Sequence, residues 1–262
     1  MSQVGSAYAY LYDPVLKQSA FRGFLERLES RLSDFGLSGK IYRLSPLLHL
    51  NEIITDEQRR GSRTLVAVGT DRLFHQLLNA PSIHQFVVGF IPLSDKSALA
   101  DLLGIPAELG AATILSHRMV KPVHLASANA VRFFWEMSLE IGDRGTSLQC
   151  DGRYTVAFTR GVGRITVRNV VPMAAASTNL FRIAIDLQRD LFSHSRTVLH
   201  AERLLFNGVK KEIRIDGQPL TVEKVRIEKL PITVRVIVGK HRHEALDDVG
   251  AVAGVTGEFA TA

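Results

Sequence analysis

The eight residues Thr64-Leu65-Val66-Ala67-Val68-Gly69-Thr70-Asp71 restrict the fold of this 262-residue chain more than any other stretch. Leu65 to Val68 is apolar without alternation, the pattern of a β-strand covered on both faces. A glycine and an acid end the run. Leu73, Phe74, Leu77 and Leu78 then recur at helical steps. A doubly covered strand that runs straight into a helix belongs to a parallel sheet with helices packed against it.

The same unit recurs through the first 118 residues. Ala7 to Tyr12 reads as a strand ending at Asp13-Pro14, and Gln18 to Phe35 as a helix. Phe21, Phe24, Leu25, Leu28, Leu32 and Phe35 form its apolar stripe and Gly36 its stop. Ile41 to Leu44 is a second strand. Ser45-Pro46 has the form of an N-cap and first helical residue for a helix running to Arg59-Arg60 and Gly61. Phe86 to Leu93 is a fourth strand, followed by short helices near Ala98–Leu103 and Ala107–His117.

Beyond about Val120 the helical period fades. β-rich runs cover Phe133–Ile141, Tyr154–Thr159, Ile165–Val171, Phe181–Leu187, Val198–Phe206, Glu212–Ile215, Val225–Ile227 and Ile232–Val238. Turns are expected at Asp151-Gly152, Gly161-Val162-Gly163, Asn207-Gly208 and Asp216-Gly217. The expected fold class is therefore α/β plus all-β. A Rossmann-like parallel α/β domain (1–118) precedes an antiparallel β-sandwich or barrel (119–243), and a flexible tail spans 244–262. Ligands of open parallel sheets sit at the strand carboxyl ends, where Asp13, Gly69–Asp71 and Ser94–Ser97 fall.

Composition narrows the function classes. No apolar stretch reaches the roughly 18–20 residues that span a bilayer, and no signal-peptide pattern opens the chain. A cytoplasmic location is expected. One cysteine, Cys150, excludes a disulfide framework and a cysteine metal cluster; it reads as an unreactive strand residue. The net charge of +6 suits anionic partners such as phosphates or an acidic membrane surface. The cations are scattered and lack interleaved aromatics, so nucleic acid is not expected. The chain has no Gly-x-Ser-x-Gly elbow or His-Glu-x-x-His helix. Gly161-Val162-Gly163 is followed by β-type residues and is no dinucleotide fingerprint. Trp135 reads as core, and His241 and His243 as solvated.

Two loops resemble signatures of the diacylglycerol kinase family of lipid kinases, which includes sphingosine kinases and is distantly similar to NAD kinases. Where that family has Gly-Gly-Asp-Gly-Thr, this chain reads Gly69-Thr70-Asp71-Arg72-Leu73. Where it has Pro-Leu-Gly-Thr-Gly-Asn-Asp-Phe-Ala, the chain reads Pro92-Leu93-Ser94-Asp95-Lys96-Ser97-Ala98-Leu99-Ala100. Asp13-Pro14 stands for an Asn-Pro, and Asp216-Gly217-Gln218 for an Asp-Gly-Glu turn. The frames survive, but most of the glycines and the Asn-Asp pair are replaced.

The resemblance implies a cleft between the two domains and transfer of the γ-phosphate of Mg-ATP to a lipid hydroxyl, with peripheral contact to an anionic membrane. Nucleotide would meet Asp13, Gly69, Thr70, Asp71, Arg72, Ser94, Asp95, Lys96 and Ser97. Asp71 would help hold the Mg²⁺-nucleotide and Asp216 would deprotonate the acceptor, the two forming the catalytic pair. The replaced residues support the alternative of an inactive relative that binds nucleotide, lipid or protein. Read without the family, Asp71 also suits a helix cap, Asp216-Gly217 a hairpin turn and Ser94–Ser97 a solvated loop with a helix cap. The sequence names neither metal ligands nor oligomeric state.

Overall fold

The computed structural model describes residues 7–45, 49–142, 145–158, 161–169, 180–188 and 194–246. Strands β1 (Tyr8–Tyr12), β2 (Lys40–Arg43), β3 (Thr64–Gly69) and β4 (Val87–Pro92) run parallel in the order β2-β1-β3-β4. Every residue of β3 and β4 is buried, which explains their unbroken apolar character. Helices α1 (Arg22–Asp34), α2 (Leu50–Arg59), α3 (Asp71–Leu78), α4 (Ala98–Leu103) and α5 (Leu109–His117) accompany this sheet. Phe24, Leu28 and Leu32 of the α1 stripe are buried, while Phe35 at its end is exposed beneath the Arg31 guanidinium.

The chain continues through β5 (Val120–Ala128), β6 (Val131–Phe133), β7 (Glu136–Ile141), β8 (Thr146–Cys150) and β9 (Tyr154–Phe158). Strands β10 (Val162–Arg168), β11 (Phe181–Gln188), β12 (His194–Ala201), β13 (Arg203–Ile215) and β14 (Gln218–Ile237) follow. Apart from the parallel contact of β14 with β4, the pairings of these later strands are antiparallel. Hydrogen bonding joins all the strands into one sheet. The expected succession of a parallel α/β part and an antiparallel part is what the fold shows.

The 20-residue β14 carries the junction. Its start forms a hairpin with β13, and its end pairs antiparallel with β5 and parallel with β4. Two apolar cores result. The first holds the α/β elements together with Val123, Leu125, Phe134, Val234, Val236, Ile237 and Val238. The second is formed by alternate residues of the antiparallel strands, such as Leu148 and Cys150 of β8, whose burial alternates strictly. Burial pushes the Cys150 thiol up, in keeping with an unreactive strand residue.

Several boundaries differ from the sequence reading. Residues 14–21 form two 3₁₀ turns, so α1 starts at Arg22 rather than Gln18. His49 stands at the N-cap position of α2, and Ser45 lies outside the helix; Pro46 is outside the described residues. Asn207-Gly208 is no hairpin turn. It lies within β13 where the pairing with β14 shifts register between Asn207 and Lys211, and glycine serves such an irregularity as well as it serves a turn. Val162 and Gly163 belong to β10 instead of a turn. Phe133–Ile141 divides into β6 and β7, and Val198–Phe206 into β12 and β13. Strand β5 was not foreseen, nor was β8 beyond the strand reading of Cys150, because Pro122 and the short polar alternation of Thr146–Cys150 weaken their strand signals. Thr159, Val170 and Val171 fall outside the described residues, as do residues 247–262.

Glu244–Leu246 makes a final 3₁₀ turn and buries Leu246 completely in the first core. Leu246→Ala should therefore cost about 2–4 kcal/mol in urea unfolding, as large-to-small core changes do. Val162→Ala, at a side chain 53% exposed, should change the midpoint little.

Candidate active site

The carboxyl ends of β1, β3 and β4 meet at one end of the parallel sheet. Asp13 follows β1, and its backbone N–H donates to Val68 O at 2.9 Å. This brings Asp13 so close to Gly69 that a Cβ on residue 69 would stand 2.3 Å from the Asp13 Cβ. Gly69 also has φ +152°. Only glycine fits both conditions, which accounts for the one glycine this loop retains.

The Asp13 carboxylate is engaged by the protein itself. Oδ1 accepts from Val15 N at 3.0 Å, capping the 3₁₀ turn after β1. Oδ2 accepts from Thr70 Oγ1 at 2.6 Å and from Thr70 N at 3.3 Å. An amide at the entrance to α3 of the kind that could turn toward phosphate therefore already serves a carboxylate.

Thr70 holds the N-cap position of α3 without a side-chain capping bond, and Asp71 is the first helical residue. Ser97 Oγ donates to Asp71 Oδ1 at 2.5 Å and accepts from Ala100 N at 2.9 Å, so it caps α4 while tying the β3 and β4 loops together. Ser94 Oγ accepts from Lys96 N at 3.1 Å. Arg72, Ser94, Asp95 and Lys96 are exposed. Direct bonds thus join Asp13, Gly69 and Thr70 in one group and Asp71 with Ser97 in another.

Beside Asp13 lies a pocket of about 430 Å³ lined in part by Lys17, Ser19, Arg22 and Arg43. Arg22 and Arg43 also meet Glu26 and Glu29 at 3.4 and 3.8 Å, in exposed pairs of small energetic weight. These cations were missed in the sequence. Their spacing hides them, and the available signal was their position after the first two strands, where ligands of such sheets bind.

Asp216 belongs to the antiparallel part. Asp216 and Gly217, with φ +45° and +81°, form the two-residue turn of the β13–β14 hairpin. The carboxylate is buried and accepts from Phe134 N at 3.0 Å, Trp135 N at 3.0 Å and Glu136 N at 2.9 Å. It thereby caps the segment between β6 and β7, whose Phe134 ring packs edge-on against Phe74 of α3. Burial pushes the Asp216 carboxyl up to about 7, and the three N–H donors counteract part of that rise. Trp135 next door is half-buried between Arg168 and His243.

No family model and no curated protein matches the chain. Solved structures do. A diacylglycerol kinase from Bacillus anthracis matches with a TM-score of 0.65 at 16% identity, over 90% of this chain and 97% of that one. A second B. anthracis structure, proposed as a diacylglycerol kinase, gives 0.68 at 14% identity, over 89% and 97%. An NAD kinase from Archaeoglobus fulgidus in complex with ATP gives 0.54 at 13% identity, over 92% and 96%. The molecule therefore shares its fold with these solved structures. More particularly, the fold is that of the diacylglycerol kinase structures, as the two loops led one to expect.

Asp216 leaves a measurable trace. Its folded pKa lies above the ordinary carboxylate value of about 3.8. Between these values the folded state keeps a proton that the unfolded state has released. Its contribution to stability is complete below about 4 and is lost as pH rises through about 7. In denaturant titrations from pH 4 to 8, Asp216→Asn should remove that downward slope. It should also lower stability at pH 5, because its NH₂ cannot accept from the backbone donors.

Proposed function

We propose that this chain is a nucleotide-phosphate-binding protein on the diacylglycerol kinase fold whose phosphotransfer is strongly reduced. The observation that carries this reading is the Asp13 carboxylate held on the Thr70 amide. A phosphate placed about 4 Å from that carboxylate meets a repulsion on the order of 4 kcal/mol at an effective dielectric of 20. Nucleotide would instead place its phosphates among Lys17, Arg22 and Arg43 of the adjoining pocket and toward Arg72 and the Ser94–Ser97 loop, rather than onto Gly69 and Thr70. Mg²⁺ asks for one or two carboxylates plus phosphate oxygens, and Asp71, with one oxygen on Ser97, suits that demand. The ion would supply charge neutralisation for the phosphates.

The second reading is an active ATP-dependent lipid kinase that works at an anionic membrane surface in the cytoplasm. It would use residues 1–118 as nucleotide domain and 119–243 as a β-sandwich acceptor domain. The retention of Asp71 and Asp216 in their frames favours it, with Asp71 on the Mg²⁺-nucleotide and Asp216 as base. Asp216 Oδ2 accepts one hydrogen bond where Oδ1 accepts two.

Calorimetric titration with Mg-ATP separates the possibilities. Wild type should bind weakly. Asp13→Asn should tighten binding by about tenfold or more, the equivalent of about 1.4 kcal/mol, and Lys17→Ala/Arg43→Ala should weaken it by a similar factor. Transfer of labelled phosphate from ATP to diacylglycerol, sphingoid bases or polyprenols should be absent. Transfer that is lost in both Asp71→Ala and Asp216→Asn would establish the kinase reading instead. No binding to any variant at millimolar ATP would end the nucleotide reading and leave the fold.

A further inference from the structure

The outer face of the antiparallel part carries a concavity of about 570 Å³ that the nucleotide reading does not use. Arg203 at the start of β13, Lys224 and Arg226 of β14, and Gln149 of β8 line it. The pairings Arg203↔Glu228, Leu205↔Arg226 and Asn207↔Lys224 put the three cations on one face of the sheet, because directly opposed residues point the same way. The intervening Leu204, Phe206, Val225 and Ile227 point into the second core. Lys224 and Arg226 are separated by two strand residues, about 7 Å. Arg203 is the diagonal neighbour of Arg226, about 7–8 Å away.

The polar groups at the rim are engaged by the backbone. Asp151, in the turn between β8 and β9, accepts from Glu202 N at 2.9 Å and Arg203 N at 2.8 Å through Oδ1. Asn129, in the turn between β5 and β6, accepts from Arg226 N and donates to Lys224 O, each at 3.0 Å. Two left-handed turn residues, φ +53° and +55°, therefore fix the backbone beneath both arginines. Two acids border the cations: Glu228 pairs with Arg226 at 3.2 Å, and Asp151 lines the concavity with Oδ1 turned onto two backbone amides. Among the described residues, neither Arg203 nor Lys224 makes an ion pair.

We propose that Arg203, Lys224 and Arg226 form an anion-binding site for a phosphate monoester, carried by a soluble metabolite or by a lipid headgroup. Guanidinium groups match phosphate oxygens in geometry as well as charge, and a pair of arginines anchored at their backbones loses less freedom on closing around one group. The site is separate from the Asp13 pocket, so the inference stands or falls apart from the nucleotide reading.

The test uses the full chain with two probes. One is glycerol 3-phosphate, followed by calorimetry. The other is co-sedimentation with phosphatidylcholine vesicles with and without phosphatidic acid. Arg203→Gln/Arg226→Gln should lose about tenfold or more in affinity for the binding probe, the worth of roughly one charge-assisted hydrogen bond. Arg164→Gln/Arg196→Gln removes the same charge from exposed strand positions elsewhere on the sheet and should bind as wild type. Binding of the soluble probe identifies a metabolite site; binding of phosphatidic acid vesicles alone identifies a headgroup site. Equal losses in the site and control variants would reduce the effect to net charge and overturn the proposal. So would wild-type binding to neither probe at physiological salt.

Discussion

Strand β14 is the element on which the architecture depends. A parallel sheet and an antiparallel one have different hydrogen-bond geometries, and an open edge on either would be a site of promiscuous pairing. β14 resolves both matters by pairing antiparallel with β13 along its first half and, along its last residues, in parallel with β4 on one side and antiparallel with β5 on the other. Val234, Val236, Ile237 and Val238 consequently pack in the first core although they follow the antiparallel strands in sequence, while Val225 and Ile227 fill the second. The register shift against β5 between Lys229 and Thr233 marks where the strand passes from one core to the other.

The acids of the expected site share one kind of chemistry. Asp13, Asp71 and Asp216 each accept hydrogen bonds from the protein's own groups: the Thr70 and Val15 amides, the Ser97 hydroxyl, and three consecutive amides at 134–136. Leaving buried amides without partners would cost on the order of 1–3 kcal/mol each. Polar residues at strand ends and turns are the least expensive way to avoid that. A carboxylate that supports a loop in this way is less available to a phosphate or a substrate proton, and its own charge opposes phosphate. Asp151 and Asn129 serve backbone groups too, on the face that carries Arg203, Lys224 and Arg226, where these cations outnumber the acids Asp151 and Glu228.

Much of the fold was legible because its signals are local. The unbroken apolar character of Leu65–Val68, the α1 stripe, and the glycine-containing turns at Asp151-Gly152 and Asp216-Gly217 each reflect a constraint acting within a few residues. The misread boundaries lie where a local signal has two physical outcomes. Asn207-Gly208 serves a register shift as readily as a turn, and Ser45-Pro46 resembles a helix start although α2 begins later. The loop frames around Gly69–Asp71 and Pro92–Ala100 led to the fold seen in the solved kinases despite their replaced residues.

The sequence by itself determined the order of elements, the parallel-then-antiparallel character and the residues gathered at the strand carboxyl ends, since all of these follow from periodicity and local turn chemistry. Tertiary structure alone decided what those residues touch. It set Asp13 against Gly69, gave Asp71 to Ser97, buried Asp216 beneath the 134–136 amides, and assembled Arg203, Lys224 and Arg226 on one face from two strands. Such contacts join positions up to 82 residues apart. They depend on how strands pair and which side chain reaches an unsatisfied amide first, information that no window of the sequence contains.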